Sequence, residues 1–461
     1  MISSSRTSSD KEPAMRDERV SKLARLLVDY STEAGEGDEV LVSAEVGAGP
    51  LIEALYARLL QVGATPATQI SLPGMQEQFF EHAQELHYQK IPQVTRAIYE
   101  FVDAQIGIRA PSNTRSLANV DPEKQQALQK RNKPLSEMML EKDRWVLTLF
   151  PTEALAQEAH MSLSEYEEFA FEAMGLNEED PVRYWSEKSA EQDRLIGRLE
   201  EARDIRIVGP DTDLTLSVEG RTFVNSAGRR NMPCGEVFTG PIEDSANGTV
   251  YFGVPAAIAG REISGVRLRF EEGKVVEASA EKGEEYLMSL LDADSGARYL
   301  GELGIGTNYG IRRASANVLF DEKLGGTVHL AIGRSYAQTG GKNDSSVHTD
   351  LVCDLREGGE LYADGELIQE NGRFLEFDLA GKTMPGEAML RVGNVRDEAA
   401  MERVRDALDG LGVDYEHIRS EPDDDRFPQT AYFYVPDDSA EDVESTLADL
   451  SGEHGFDAEV L

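Results

Sequence analysis

The chain of 461 residues contains only two cysteines, Cys234 and Cys353. Two thiols cannot staple a disulfide scaffold of this length, which fits a reducing, cytoplasmic compartment. No run approaches the roughly 20 apolar residues that span a bilayer. The opening "MISSSRTSSDKEPAMRDERV" has no apolar stretch of the kind a secretory signal needs. Residues 1–15 are therefore expected to form a disordered leader, with Met15 as an alternative start. Basic residues are scarce as well: 46 Lys and Arg stand against 85 Asp and Glu, a net charge of -39. A field of that sign repels nucleic acid and anionic lipid, so neither nucleic acid nor membrane is expected as a partner. The acidic excess runs the whole length of the chain, a halophilic pattern in which dense surface carboxylates keep a protein hydrated. The phosphate-binding fingerprint G-x-G-x-x-G is missing too, which argues against a nucleotide site.

What is present is a globular composition, 40% hydrophobic and 28% charged, long enough for two or three domains. From 16 to 202 helical and strand patterns alternate. "RVSKLARLLVDYS" puts Val20, Leu23, Leu26, Leu27 and Tyr30 on one helical face, and "GDEVLVSAE" reads as a short strand. "PLIEALYARLLQVGA" opens on proline and closes on glycine, as helices do. Strands alternating with helices imply parallel pairing and right-handed crossovers, so this segment predicts a doubly wound α/β domain.

From 203 to 373 the grammar changes to short β-branched runs joined by Gly, Asp and Asn turns, with one helix near "GEEYLMSLL". "RFEEGKVVE" reads as a hairpin. This predicts a β-rich α+β domain. From 386 to 461 the order is strand, helix, strand, strand, helix, strand, which predicts a small ferredoxin-like α+β domain with "EPDDDRFPQ" as its central turn. A linker near "KTMPGE" would join it to the rest.

Chemistry concentrates in the β-rich segment. In "SVHTD", His348 and Asp350 alternate along a strand and so share one face, leaving Leu351 and Val352 free to bury. They are a ligand pair or an ordinary strand-edge ion pair. "GTVHLAIGRSY" supplies His329 and Tyr336. Glu236 in "NMPCGEVFTGP" and Glu302 in "GELGIGTN" lie in glycine-rich surroundings, where backbone can approach a centre closely. Each has a plain alternative: a solvated Glu236, a turn-capping Glu302, a core His329, a packing Tyr336. Two imidazoles and three carboxylates are nonetheless an ample ligand set for two divalent ions. Cys234 and Cys353 read as small buried residues.

The blocks "NMPCGEVFTGP", "GELGIGTN", "DEKLGGTVHLAIGRSY" and "GGKNDSSVHTDLVCDL" resemble, in order, the signatures of the aminopeptidase T family of thermophilic metalloproteases. "LARLLVDYS", "GDEVLVSAE" and "PLIEALYARLLQVGA" resemble that family's opening, and the likeness runs from about 16 to 372. The resemblance implies a metallo-aminopeptidase acting on peptides with a free N-terminus, with two divalent ions per chain, zinc or cobalt, in a homodimer. It places Glu236, Glu302, His329, His348 and Asp350 on the metal ligands and Tyr336 on the catalytic tyrosine, with Glu302 as bridging ligand or general base. Glu322 in "DEKLGG" is a further candidate ligand or neighbour. Cys234 and Thr349 depart from the family's usual residues, which bears on the substrate pocket. Two other readings remain: a mononuclear-iron dioxygenase that cleaves hydroxylated pyridine rings, and a non-catalytic metal-stabilised binding protein.

Overall fold

The computed structural model describes residues 17–258, 261–375, 387–419, 428–454 and 456–460. The leader 1–15, the linker "KTMPGE" up to residue 386 and most of "EPDDDRFPQ" lie outside the described residues. Among the described residues no helix is long and apolar enough to cross a membrane.

The helix Glu18–Arg25 starts on Asp17, whose carboxylate accepts from the Arg19 amide at 2.9 Å. Continued by a π-helical turn, Leu26–Ser31, it buries Leu23, Leu26 and Leu27. Strand β1 (Glu39–Glu45) then buries Val40, Leu41, Val42 and Ala44, the two-faced burial of a parallel strand. The helix Gly49–Gln61 has its proline in the first turn and buries Leu51, Ile52, Leu55 and Leu59. With β2 (Thr65–Ser71), β3 (Ala104–Arg109), β4 (Trp145–Leu149) and β5 (Asn231–Met232) this builds a parallel sheet of order β2-β1-β3-β4-β5. The chain leaves β1 for β2 on one side and returns on the other for β3. Such a reversal opens a crevice beyond the carboxyl ends of the two strands, here at Glu45 and Arg109.

The fifth strand comes from beyond residue 203, where the sequence pattern had turned to β. Leu147 aligns with Asn231 and Thr148 with Met232, and the Thr148 hydroxyl donates to the Met232 carbonyl at 2.8 Å. The core of the parallel sheet also takes in Cys234, Ile311, Phe320 and Leu324. The β-rich segment is therefore joined to the first through shared packing as well as through the chain.

Eight antiparallel strands between Asp204 and Phe374 form a second sheet. In it Glu271 pairs with Lys274 across Glu272 and Gly273, both at positive φ, the two-residue hairpin turn. Its core is shared with a five-stranded antiparallel sheet that contains β6 (Glu236–Thr239), β7 (Leu300–Gly306), β8 (Thr327–Gly333) and β9 (His348–Asp354), in the order β9-β8-β7-β6 followed by Val224–Ser226. Val237, Leu303, Ile305, Val328, Leu330, Ile332, Leu351 and Cys353 point from these strands into that core. The period of two sends the alternate residues to the opposite face.

After residue 386 the elements are Glu387–Val395, a helix Glu398–Leu411, Glu416–Arg419, Gln429–Pro436, a helix Ala440–His454 and Asp457–Val460. The strands form one antiparallel sheet in which Gln429–Pro436 and Glu387–Val395 are central. Leu390, Val392, Phe433 and Val435 meet Met401, Val404, Leu408, Val443 and Leu447 in a core of their own. Arg373 reaches across: its guanidinium lies 4.0 Å from the Tyr434 ring centroid and pairs with Glu387. A chain ending at Leu375 loses that stacking, about 1–2 kcal/mol, but none of the cores around the parallel and β-rich sheets. It is expected to melt a few degrees lower with metal content and anilide turnover retained. Loss of metal on truncation would show the last sheet to be part of the catalytic core.

Candidate metal centre

The face of the five-stranded sheet that turns away from the core carries Glu236 on β6, Glu302 on β7, His329 on β8, and His348 and Asp350 on β9. Register does the gathering. Glu302 stands opposite Ala331, which stands opposite Asp350; His329 stands opposite Gly304, and His348 opposite Gly333. A bulge between Leu300 and Glu302 sets the register of β7. The small residues leave room for the large ones, most clearly at Gly304, where a methyl group would overlap Cε1 and Nε2 of His329. Gly304→Ala is accordingly expected to turn the imidazole away and to cost about 1–3 kcal/mol of stability by overpacking. Metal per chain should fall sharply while the circular dichroism spectrum stays native. Full metal content in that variant would show that the ring has another place to go.

Glu236, Glu302 and His329 each offer one ligand atom, all within 4.8 Å of one another. Nε2 of His329 is 3.1 Å from Oε1 of Glu302 and 3.6 Å from Oε2 of Glu236. The other oxygen of Glu302 faces Nε2 of His348 at 3.8 Å, and that nitrogen is 3.5 Å from Oδ1 of Asp350. Glu302 thus lies between two half-sites, Glu236 with His329 and His348 with Asp350. Nδ1 of His348 donates to the Arg334 carbonyl at 2.7 Å; with a proton there, the Nε2 lone pair would be open to a metal ion that the neighbouring carboxylates also hold.

Burial dominates the electrostatics. It pushes the Glu236 carboxyl up to about 7, against the pull of Lys323, and Asp350 up to about 6, with the charge of Glu322 adding to the rise. Burial alone would lower His329, but its bond to Glu302 and the charges of Glu236 and Glu302 prevail and lift it to about 10. Oε2 of Glu236, Oε2 of Glu302 and Oδ1 of Asp350 are buried without a hydrogen-bond partner, a costly state for carboxylate oxygens. Three converging oxygens and two imidazole nitrogens fit divalent ions such as zinc or cobalt.

Tyr336 follows β8 and sets its ring edge-on to His348, centroids 5.1 Å apart, and against Phe238 at 5.8 Å. Although the residue as a whole is 41% exposed, desolvation around its phenol and then the charges of Glu302, Asp350 and Glu322 push the phenol above its ordinary value. At neutral pH it remains a hydrogen-bond donor. Glu322 pairs with Lys323. Cys234 and Cys353 are free and buried. Burial raises both thiols, Cys353 to about 12, and Cys353 lies on the core side of β9.

Two residues went unnoticed in the sequence. Lys323, with a fully buried side chain, brings Nζ to 3.4 Å from Oε1 of Glu236 while it pairs with Glu322. The only signal was a lysine inside the glycine-rich "DEKLGG" block of a lysine-poor chain. Asp294 accepts from Ser345 Oγ at 2.8 Å and from the amide and hydroxyl of Ser346 at 2.7 Å. It anchors the segment that delivers His348, and those bonds hold its carboxyl well below the usual range.

Residues 16–374 match the model of the thermophilic metalloprotease (M29) family. Aminopeptidase 2 of Geobacillus stearothermophilus is 30% identical over 382 residues, 73% of this chain and 92% of that protein. Aminopeptidase T of Thermus aquaticus is 28% identical over 384 residues, 74% of this chain and 93% of that protein. Wild-type AmpT from Thermus thermophilus superposes with a TM-score of 0.69 at 24% identity, covering 78% of this chain and 99% of that one. The 2,5-dihydroxypyridine dioxygenase of Pseudomonas putida KT2440 gives 0.50 at 14% identity over 80% of this chain and 100% of its own, a likeness of fold alone. With the match extending from the first described helix to the last strand of the β-rich segment, the chain belongs to the thermophilic metalloprotease family M29.

Proposed function

We propose that this metallo-aminopeptidase removes N-terminal residues from peptides with two divalent ions, zinc or cobalt, which Glu236 and His329 on one side and His348 and Asp350 on the other would hold, with Glu302 between them as bridging ligand or general base. The observation that carries the reading is the placement of Glu302, whose two oxygens face separate imidazoles at 3.1 and 3.8 Å. Ions held there would polarise the scissile carbonyl, acidify a water and take the free α-amino group. If Glu302 does not bridge, it would be the general base, taking the proton of such a water and returning it to the leaving nitrogen as the C–N bond breaks. Tyr336 donates to the carbonyl oxygen as it becomes an oxyanion. Lys323 offsets the charge of Glu236 and holds it in place.

Metal-reconstituted protein is expected to bind two zinc or cobalt ions per chain and to hydrolyse an aminoacyl anilide in high salt. One ferrous ion with oxygen uptake would instead support the dioxygenase reading, and absence of turnover a binding protein. The wider reading is a salt-rich cytoplasm, supported by the charge of -39 and the two free thiols, and a homodimer, which the family resemblance implies. Its parts are a doubly wound domain at 16–202, a catalytic domain at 203–373 and a ferredoxin-like domain at 386–461. A core of its own supports setting the last domain apart, whereas the other two cores each draw residues from both sides of position 202.

A further inference from the structure

We propose that the crevice beyond the carboxyl ends of β1 and β3 receives the far end of a short peptide, and that Arg109 binds its terminal α-carboxylate. The inference rests on the aminopeptidase reading and adds to it a substrate class, di- and tripeptides with a free carboxyl group.

The crevice is a cavity of about 870 Å³, within the range of roughly 300–1,000 Å³ typical of small-molecule sites. Glu45 and Arg109 stand at the strand ends, and Leu149, Asn231 and Glu322 also line the cavity. Glu322 also joins the cavity to the metal centre, because it pairs with Lys323, which lies against Glu236. Asn231 is five residues before Glu236.

Several of the charged side chains that line the cavity are already engaged. Arg115 bonds both oxygens of Glu158, at 2.9 and 3.0 Å. Arg261 lies 4.8 Å from the ring of Tyr286. Glu45 accepts from the Ala110 amide at 2.7 Å. Arg109 is exposed to the cavity, and among the described residues its guanidinium has no ion-pair or hydrogen-bond partner. In a chain with 85 acidic residues and 46 basic ones, a cation left unpaired inside a cavity is available for an anion from outside. The planar fork of arginine matches a carboxylate in two parallel bonds. Glu322, already paired with Lys323, offers a carboxylate no anchor. A short peptide whose N-terminus is at the metals has its carboxylate to offer at its far end.

The test compares a tripeptide acid with its C-terminal amide on the metal-loaded full chain, with an aminoacyl anilide as reference. Wild type is expected to favour the acid in kcat/KM by about 10–100-fold, the range of a charge-assisted hydrogen bond. Arg109→Met should bring the acid-to-amide ratio close to one, and Arg109→Lys should retain part of it. Both peptides are measured on the same preparation, so differences in metal loading cancel. Equal rates for acid and amide in wild type, or an unchanged ratio in Arg109→Met, would overturn the anchor while the aminopeptidase reading stands. If the anilide and both peptides stay uncleaved, that reading fails and the anchor falls with it.

Discussion

His348→Ala and Asp350→Ala are each expected to abolish turnover and to lower bound metal. The two side chains alternate on β9, with Nε2 of His348 3.5 Å from Oδ1 of Asp350, so each would supply one bond to the same ion. Removing either leaves that ion with too few protein ligands, and its share of carbonyl polarisation and water activation is worth several kcal/mol. At about 1.4 kcal/mol per factor of ten, a fall of roughly three orders of magnitude or more follows. Fold should survive, since the opposite face of β9, with Leu351 and Cys353, keeps its place in the core. Asp350→Asn separates charge from shape: it fills the same space but is a weaker ligand, so it should lose metal less completely than Asp350→Ala. Elemental analysis, anilide turnover and a melting curve on the same samples decide the matter. Normal metal and normal rate in either alanine variant would remove this strand from the mechanism.

How far this centre could be read in advance depends on which physical pattern each residue leaves in the sequence. Alternation put His348 and Asp350 on one face from spacing alone. Glu236, Glu302 and His329 span nearly a hundred residues and have no mutual spacing to read. They meet because antiparallel register sets Gly306 opposite Glu236 and Gly304 opposite His329, and register across a sheet is a long-range property. Resemblance to a family supplied what spacing did not. Lys323 left almost no mark, because a buried lysine is defined by its partners, and Glu236 is far off in the chain. The parallel sheet shows the same division. Its first four strands alternate with helices and follow from periodicity, whereas β5 is two residues long and shows no period. Arg109 ends β3, and its lack of a partner is visible only in three dimensions.

Tyr336→Phe should behave unlike the loss of a ligand. The ring touches Phe238 and His348 edge-on, contacts that phenylalanine reproduces, so packing and metal content are expected to stay as they are. Only the hydroxyl disappears. With its proton held by burial and by the neighbouring carboxylates, that hydroxyl donates where negative charge develops on the substrate oxygen. A preorganised donor of this kind is worth roughly 3–4 kcal/mol, a drop of about 10²–10³ in kcat. The ground-state carbonyl gains little from the same bond, so KM should change by a small factor only. Two outcomes would count against this role. An unchanged kcat would leave Tyr336 as packing between Phe238 and His348. A loss of metal alongside the loss of rate would mean that the hydroxyl orients His348 rather than the substrate, and elemental analysis of the variant separates that case from the loss of a donor.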